Sequence, residues 1–178
     1  NGMSPADVIW DTQVRSISVP GQATWPVNYD RTYHGPVNMR AALANSYNVP
    51  AVKVLERAVG TEGLLHYMRR FGMTSLNPDP SLYGPSLTLG GGEVTLLELS
   101  RAYGVFANQG VLVPTTAILC VLDSEDNIIY QFEGGCPEGN VTPETVARTA
   151  LGTQVLDPRI SFIVTDILAD NNARAPAM

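Results

Sequence analysis

Basic charge is scarce in this sequence. Lys53 is the single lysine, and eleven Lys and Arg face seventeen Asp and Glu, for a net charge of -6. No basic run occurs, which argues against a nucleic-acid partner. Long apolar runs are missing too. The longest, Ala117 to Leu122, falls far short of the roughly 20 residues that span a bilayer. The opening Asn1-Gly2-Met3-Ser4 has neither the charged start nor the apolar core of a secretory signal, and it reads as the middle of something longer. Two cysteines, Cys120 and Cys136, and two histidines, His34 and His66, lack metal-ligand spacing, so no metal or cofactor is expected. Cys120 reads as a buried strand residue and Cys136 as part of a Gly/Pro loop. A disulfide between them is a weak candidate, because the hairpin read below carries them apart. Neither histidine has a neighbour that completes a triad, and both read as surface or packing residues.

What is present is 178 residues of 44% hydrophobic composition, enough for one domain with a real core. Residues 1–36, rich in Pro, Gly and aromatics, read as an extended, turn-rich entry with short strands at Asp7–Trp10 and Val14–Val19. Residues 37–110 read as helical. Asn38 caps a short helix over Met39–Asn45, a second begins at Pro50 and ends at Gly60, and Thr61 caps a third with Leu64, Leu65, Met68 and Phe71 on one stripe. Asn77–Gly92 reads as loop. Thr95 and Glu98 form a capping box for a longer helix with Leu96, Leu99, Tyr103 and Phe106 as its seam. Over 111–132 the period changes, and strands Val113–Leu122 and Asn127–Phe132 make a hairpin. Residues 133–178 read as loop, a short helix over Thr142–Ala150, and a helix opened by Asp157-Pro158 with Ile160, Ile163, Val164, Ile167 and Leu168 on one face. The whole is α+β and mainly helical, a single partial domain with a β-hairpin.

Several chemistries are excluded. Gly90-Gly91-Gly92 is followed by no Gly-Lys-Ser/Thr and opens no dinucleotide fingerprint; it reads as a flexible or closely packed turn. No Gly-x-Ser-x-Gly elbow exists. What remains is Ser46-Tyr47-Asn48, a polar break between two helices where a plain helical hairpin would turn on glycine. By composition these are capping residues, with Asn48 ahead of the helix at Pro50.

Three stretches change that weighting: YDRTYHGPVNMRAALANSYNVPAVKVLERAVG, PSLTLGGGEVTLLELSRAYGVFANQGVLVPTTAI and VLDPRISFIVTDILADNNAR. In order and spacing they resemble the transpeptidase domain of class A penicillin-binding proteins, over most of the chain from about Ser4 to Arg174. Glu133–Ala150 is the least familiar part. The resemblance implies a partial penicillin-binding, β-lactamase-like fold with little of the family's main sheet. It also implies that Ser46-Tyr47-Asn48 is the second of three motifs, Ser-x-x-Lys, Ser-x-Asn and Lys-Thr/Ser-Gly. Ser46 would relay a proton among the nucleophile, its lysine and the leaving amine. Asn48 would bind the substrate peptide and steady the lysine. Tyr47, where many β-lactamases have Asp, would lie at the substrate.

The other two motifs are absent: Lys53 is preceded at minus three by Pro50 and followed by Val54. The resemblance places the first before Asn1 and the third after Met178, making this an interior fragment, inactive by itself, of a peptidoglycan D,D-transpeptidase. Such a parent would cross-link stem peptides of lipid-linked glycan strands through a serine acyl-enzyme and bind β-lactams. It would carry a glycosyltransferase domain and a membrane anchor, and work outside the cytoplasmic membrane. A fragment without the main sheet would expose apolar surface that a dimer could cover. Two other readings stand beside this one: a non-catalytic scaffold or binding module on the same fold, and a self-contained hydrolase with Ser46 as nucleophile and Lys53 as base.

Overall fold

The computed structural model describes residues 2–13, 26–132 and 152–177. Strand β1 (Val8–Asp11) pairs antiparallel with β2 (Gly35–Asn38), with Val8 opposite Asn38 and Asp11 opposite Gly35. The expected strand at Val14–Val19 and the expected helix at Thr142–Ala150 lie outside the described residues. Strand β2 runs directly into helix α1 (Met39–Ala44), whose first turn is closed by the Asn38 side chain accepting the Ala41 N–H at 2.8 Å. Helix α2 (Asn48–Ala58) buries Val49, Pro50, Val52 and Leu55. It starts two residues before Pro50, with Tyr47 at its cap position and no side-chain cap of its own. The capping role expected of Asn48 is therefore corrected. Helix α3 (Gly60–Arg70) follows after Val59 alone, so Thr61 sits inside the helix and caps nothing.

Leu65 of α3 packs with Met73, Leu76, Leu87 and Ala102 in the main cluster, with Leu64, Met68 and Phe71 against its edge. The segment expected as plain loop contains two 3-10 turns, Pro80–Leu82 and Gly84–Leu89. The triple glycine is a closely packed turn. A Cβ at Gly91 would lie 2.8 Å from the Ser86 carbonyl oxygen, and one at Gly92 would lie 2.7 Å from Leu76 Cδ2.

Helix α4 (Leu96–Ala107) has the Thr95/Glu98 capping box in full. Its inward face is Ala102 and Val105, whereas Leu96, Leu99 and Tyr103 of the expected seam are exposed. α4 therefore turns Ala102 and Val105 inward instead of the expected stripe of larger apolar residues. The expected strand Val113–Leu122 is also split. β3 (Val111–Leu112) pairs with β6 (Thr153–Gln154), and Pro114, which has no N–H to give a ladder, lies beyond its end. The hairpin itself is β4 (Cys120–Leu122) with β5 (Ile128–Gln131), with a register irregularity at Val121/Leu122. Cys120 is half-buried and disulfide-bonded, which corrects its reading as a plain buried residue; Cys136 lies outside the described residues. Helix α5 (Pro158–Ala169) is capped by Asp157, whose carboxylate accepts the Arg159 N–H at 2.8 Å. A last turn, α6 (Asn171–Arg174), follows. The described sheets are all two-stranded ladders, and the architecture is α+β and mainly helical.

Candidate active site

The connection between α1 and α2 is built by the end of α1. Tyr47 N–H donates to the Ala42 carbonyl at 3.0 Å and Ser46 N–H to the Leu43 carbonyl at 3.1 Å, which is the paired closure of a Schellman motif. That motif requires a left-handed residue at its turn, and Ser46 takes it with φ 56. Glycine usually fills such a position, because a Cβ there costs about 1–2 kcal/mol. Asn45, at the helix end, donates from Nδ2 to Ala41 O and to Ala173 O, both at 2.8 Å, and so ties the turn to α6. Arg40 of α1 adds ion pairs to Asp166 and Asp170 of the C-terminal helical segment.

Ser46 is exposed and Asn48 half-buried, and both line a groove of about 720 Å³. Its apolar walls include Leu43, Ala51 and Val54 on one side and Ile160, Ile163 and Ile167 of α5 on the other. The apolar stripe expected on α5 thus faces a groove instead of a closed core, which is why Ile160 and Ile163 remain substantially exposed. Asn48 Nδ2 donates to the Val27 carbonyl at 2.8 Å.

Tyr47, expected at the substrate, is turned inward. It is 7% exposed and stacks on His34 with ring centroids 4.0 Å apart and 15° between planes. Burial, followed by the charges of Asp30 and Asp11, pushes its hydroxyl above the ordinary phenol range. His34 is not the unpartnered residue that its sequence neighbours imply. Its Nδ1 lies 2.6 Å from Asp11 Oδ2 and its Nε2 3.0 Å from Asp30 Oδ2. Hydrogen bonding from the Thr32 backbone N–H is the main influence that holds the Asp30 carboxyl below its usual range.

Asn28 is the second residue that the sequence reading missed. It is buried, donates from Nδ2 to Asp11 Oδ2 at 2.7 Å and to Thr32 O at 2.8 Å, and accepts the Val49 N–H on Oδ1 at 3.2 Å. It therefore supplies from another segment the cap that α2 lacks. The only signal available in the sequence was a turn-like Asn28-Tyr29-Asp30, which does not reveal a contact made 21 residues away. Lys53 is half-buried, and its ammonium donates to Trp10 O and, at 3.3 Å, to Thr12 O and Oγ1. It clamps α2 to the end of β1 instead of projecting into solvent, and it is committed there rather than serving Ser46 as a base.

A family model described as the penicillin binding protein transpeptidase domain matches residues 12–175. Penicillin-binding protein 1A of Neisseria lactamica is 33% identical over 174 residues, which cover 95% of this chain and 20% of that protein. Penicillin-binding protein 1A of Rickettsia bellii is 30% identical over 172 residues, covering 96% of this chain and 21% of that protein. Among solved structures, penicillin-binding protein 1A from Haemophilus influenzae aligns with a TM-score of 0.74 at 24% identity, over 97% of this chain and 27% of that one. PonA1 from Mycobacterium tuberculosis, solved in complex with penicillin V, aligns with a TM-score of 0.71 at 15% identity, over 93% of this chain and 41% of that one. These two structural likenesses speak for the fold. The chain spans about a fifth of the length of the curated relatives it matches.

Proposed function

Because this chain belongs to the penicillin-binding protein transpeptidase domain family, we propose that it is the part of a peptidoglycan D,D-transpeptidase that presents Ser46 and Asn48 to the reacting peptide. The observation that carries this reading is the conformation of Ser46. A serine is held exposed in a turn that glycine would make at lower cost, lining a groove of about 720 Å³. Strain of this kind collects where a side chain has work to do. Ser46 Oγ passes a proton between the acylating serine, its lysine and the leaving or attacking amine, the latter residues lying on segments outside this chain. Asn48 keeps its carbonyl oxygen and its second amide hydrogen for the peptide once one hydrogen is given to Val27. Tyr47 lines the same groove, and its ring, stacked on His34, holds the pair from behind.

The parent is a serine acyl-transferase fused to a peptidoglycan glycosyltransferase. It is anchored to the cytoplasmic membrane with this domain outside it, acts on stem peptides of lipid-linked strands, and is acylated by β-lactams. Among the described residues no helix is long and apolar enough to cross a membrane. A scaffold role is the second reading. The strained serine weighs against it, since a scaffold keeps the turn equally well with glycine.

The test is acylation of the full-length enzyme by a fluorescent penicillin. Ser46→Ala lowers the acylation rate by about 10²–10⁴-fold at an unchanged melting temperature. A rate equal to wild type sinks the assignment. The isolated 178-residue chain, without Ser-x-x-Lys, is expected to show no penicillin adduct by intact mass.

A further inference from the structure

Behind Ser46 and Asn48 lies an ion cluster to which the chemistry above gives no task. Asp11 is wholly buried. Its Oδ2 accepts from Asn28 Nδ2 at 2.7 Å, from the His34 backbone N–H at 3.0 Å and from His34 Nδ1 at 2.6 Å, while Oδ1 has no partner. The other edge of the same ring faces Asp30 Oδ2 at 3.0 Å, with the Thr32 hydroxyl 3.3 Å from Nε2. The face of the ring carries Tyr47, the residue between Ser46 and Asn48. Asn28 then joins the cluster to the first turn of α2 through the Val49 N–H. The Ser46–Asn48 connection is thus held through two contacts, ring on ring and amide on backbone.

A neutral imidazole donates from one nitrogen only, and here both nitrogens face carboxylate oxygens. The ring is thus gripped along both edges, by Asp11 and by Asp30, while its face carries Tyr47. We propose that His34, held between Asp11 and Asp30, is a positioning residue that sets Ser46 and Asn48 through the ring of Tyr47. Loss of either contact frees one edge of the ring and lets Tyr47 and the residues on either side of it move. Among the described residues, the titratable or charged groups around the ring are Asp11 from β1, Asp30 from the turn before β2 and Tyr47 from the α1–α2 connection. Lys53 from α2 lies beyond, on the backbone next to Asp11. The proposal rests on the reading of Ser46 and Asn48 as the active-site pair.

The experiment measures the rate of acylation of the full-length enzyme by a fluorescent penicillin as a function of penicillin concentration, which separates binding from the acylation step. Wild type, His34→Gln, Asp30→Asn and Ser46→Ala are compared. His34→Gln acylates roughly ten- to a hundred-fold more slowly at saturation, the loss expected of a misplaced catalytic group, yet still reaches full stoichiometry. Its half-saturating penicillin concentration stays close to that of wild type. Asp30→Asn alters only the outer edge of the cluster; it weakens the hold on the ring and lowers the saturated rate in the same direction by a smaller factor. A His34→Gln enzyme with the wild-type saturated rate overturns the proposal. So does an Asp30→Asn enzyme with the wild-type saturated rate, which decides the matter even where His34→Gln fails to fold. A wild-type rate in Ser46→Ala defeats the active-site reading beneath it, whereas a slow Ser46→Ala beside a normal His34→Gln defeats the positioning role alone.

Discussion

Ser46 concentrates the conflict between stability and use. The Schellman closure of α1 demands a left-handed residue after Asn45, and the chain places there a side chain that pays a steric penalty. Glycine at this position would relieve the strain but would lose the hydroxyl and some of its gain to unfolded-chain freedom. Ser46→Gly is therefore expected to raise folding stability by about 0.5–1 kcal/mol, read from urea unfolding. In the full-length enzyme it is expected to slow acylation as much as Ser46→Ala does. A variant that is both destabilised and fully active would show that the turn geometry, and not the hydroxyl, is what this residue supplies. Asn28 resolves a different problem at the same scale: one buried amide donates to Asp11 Oδ2 and to Thr32 O and accepts from the open start of α2, so both of its own polar atoms are buried with partners.

Helix α4 is attached to its surroundings through both ends. At its start Glu98 closes the capping box and also binds the backbone N–H groups of Thr74 and Ser75 at 2.8 and 2.9 Å, as well as the Ser75 hydroxyl. The Ser75 side chain first, and then the backbone N–H groups, lower its carboxyl from the ordinary 4.5 to about 2. A depressed carboxyl contributes stability above its ordinary value and loses it as pH falls. The stability difference between wild type and Glu98→Gln is therefore constant near neutral pH and shrinks between about 4.5 and about 2, which urea titrations at several pH values would reveal. At the far end Gly110 has φ 90, and its carbonyl accepts from Val155 and Leu156 at 2.9 and 3.1 Å. A Cβ there would meet the Leu156 carbonyl oxygen at 2.1 Å, whereas one at Gly104, inside the helix, meets nothing closer than 4.0 Å. Gly110→Ala should cost at least about 1–3 kcal/mol, and Gly104→Ala should add up to about 1 kcal/mol through helix propensity. Equal effects on melting temperature would contradict this account.

Across the whole molecule the buried cluster is modest and the apolar surface generous. Leu96 is 80% exposed, Phe162 71% and Tyr103 61%, on two helices that pack against each other, and the groove beside Ser46 is lined mainly by aliphatic side chains. Exposed apolar surface on this scale is ordinarily covered by another polypeptide segment or another subunit. In isolation the 178-residue chain is expected to self-associate, with a sedimentation coefficient that rises with concentration, and Phe162→Lys is expected to lower that tendency. A strictly monomeric profile over the accessible concentration range would count against it.

Local chemistry was legible because its determinants are close in sequence. The Asn38 cap, the Thr95/Glu98 box and the Asp157-Pro158 helix start each depend on residues within about one helical turn of one another, and each is where the sequence alone places it, whereas the break after α1 is shorter than expected because α2 already begins at Asn48. The order and spacing of three long stretches identified the family for the same reason. What failed to be legible depends on contacts across the chain. α4 buries Ala102 and Val105 and leaves the larger Leu96 and Tyr103 exposed, a choice set by the elements packed against it, α5 and β3. The first hairpin strand broke where a distant segment, Thr153–Gln154, took its edge. Lys53 found acceptors on β1, and His34 found Asp11, 23 residues away. The sequence by itself thus determined where the helices capped by Asn38, Thr95 and Asp157 begin, and which family the chain belongs to. Only the tertiary structure decided which faces are buried and which charges meet, because a buried charge or an orphan N–H is satisfied by whatever group the fold brings within 3 Å, at any distance along the chain.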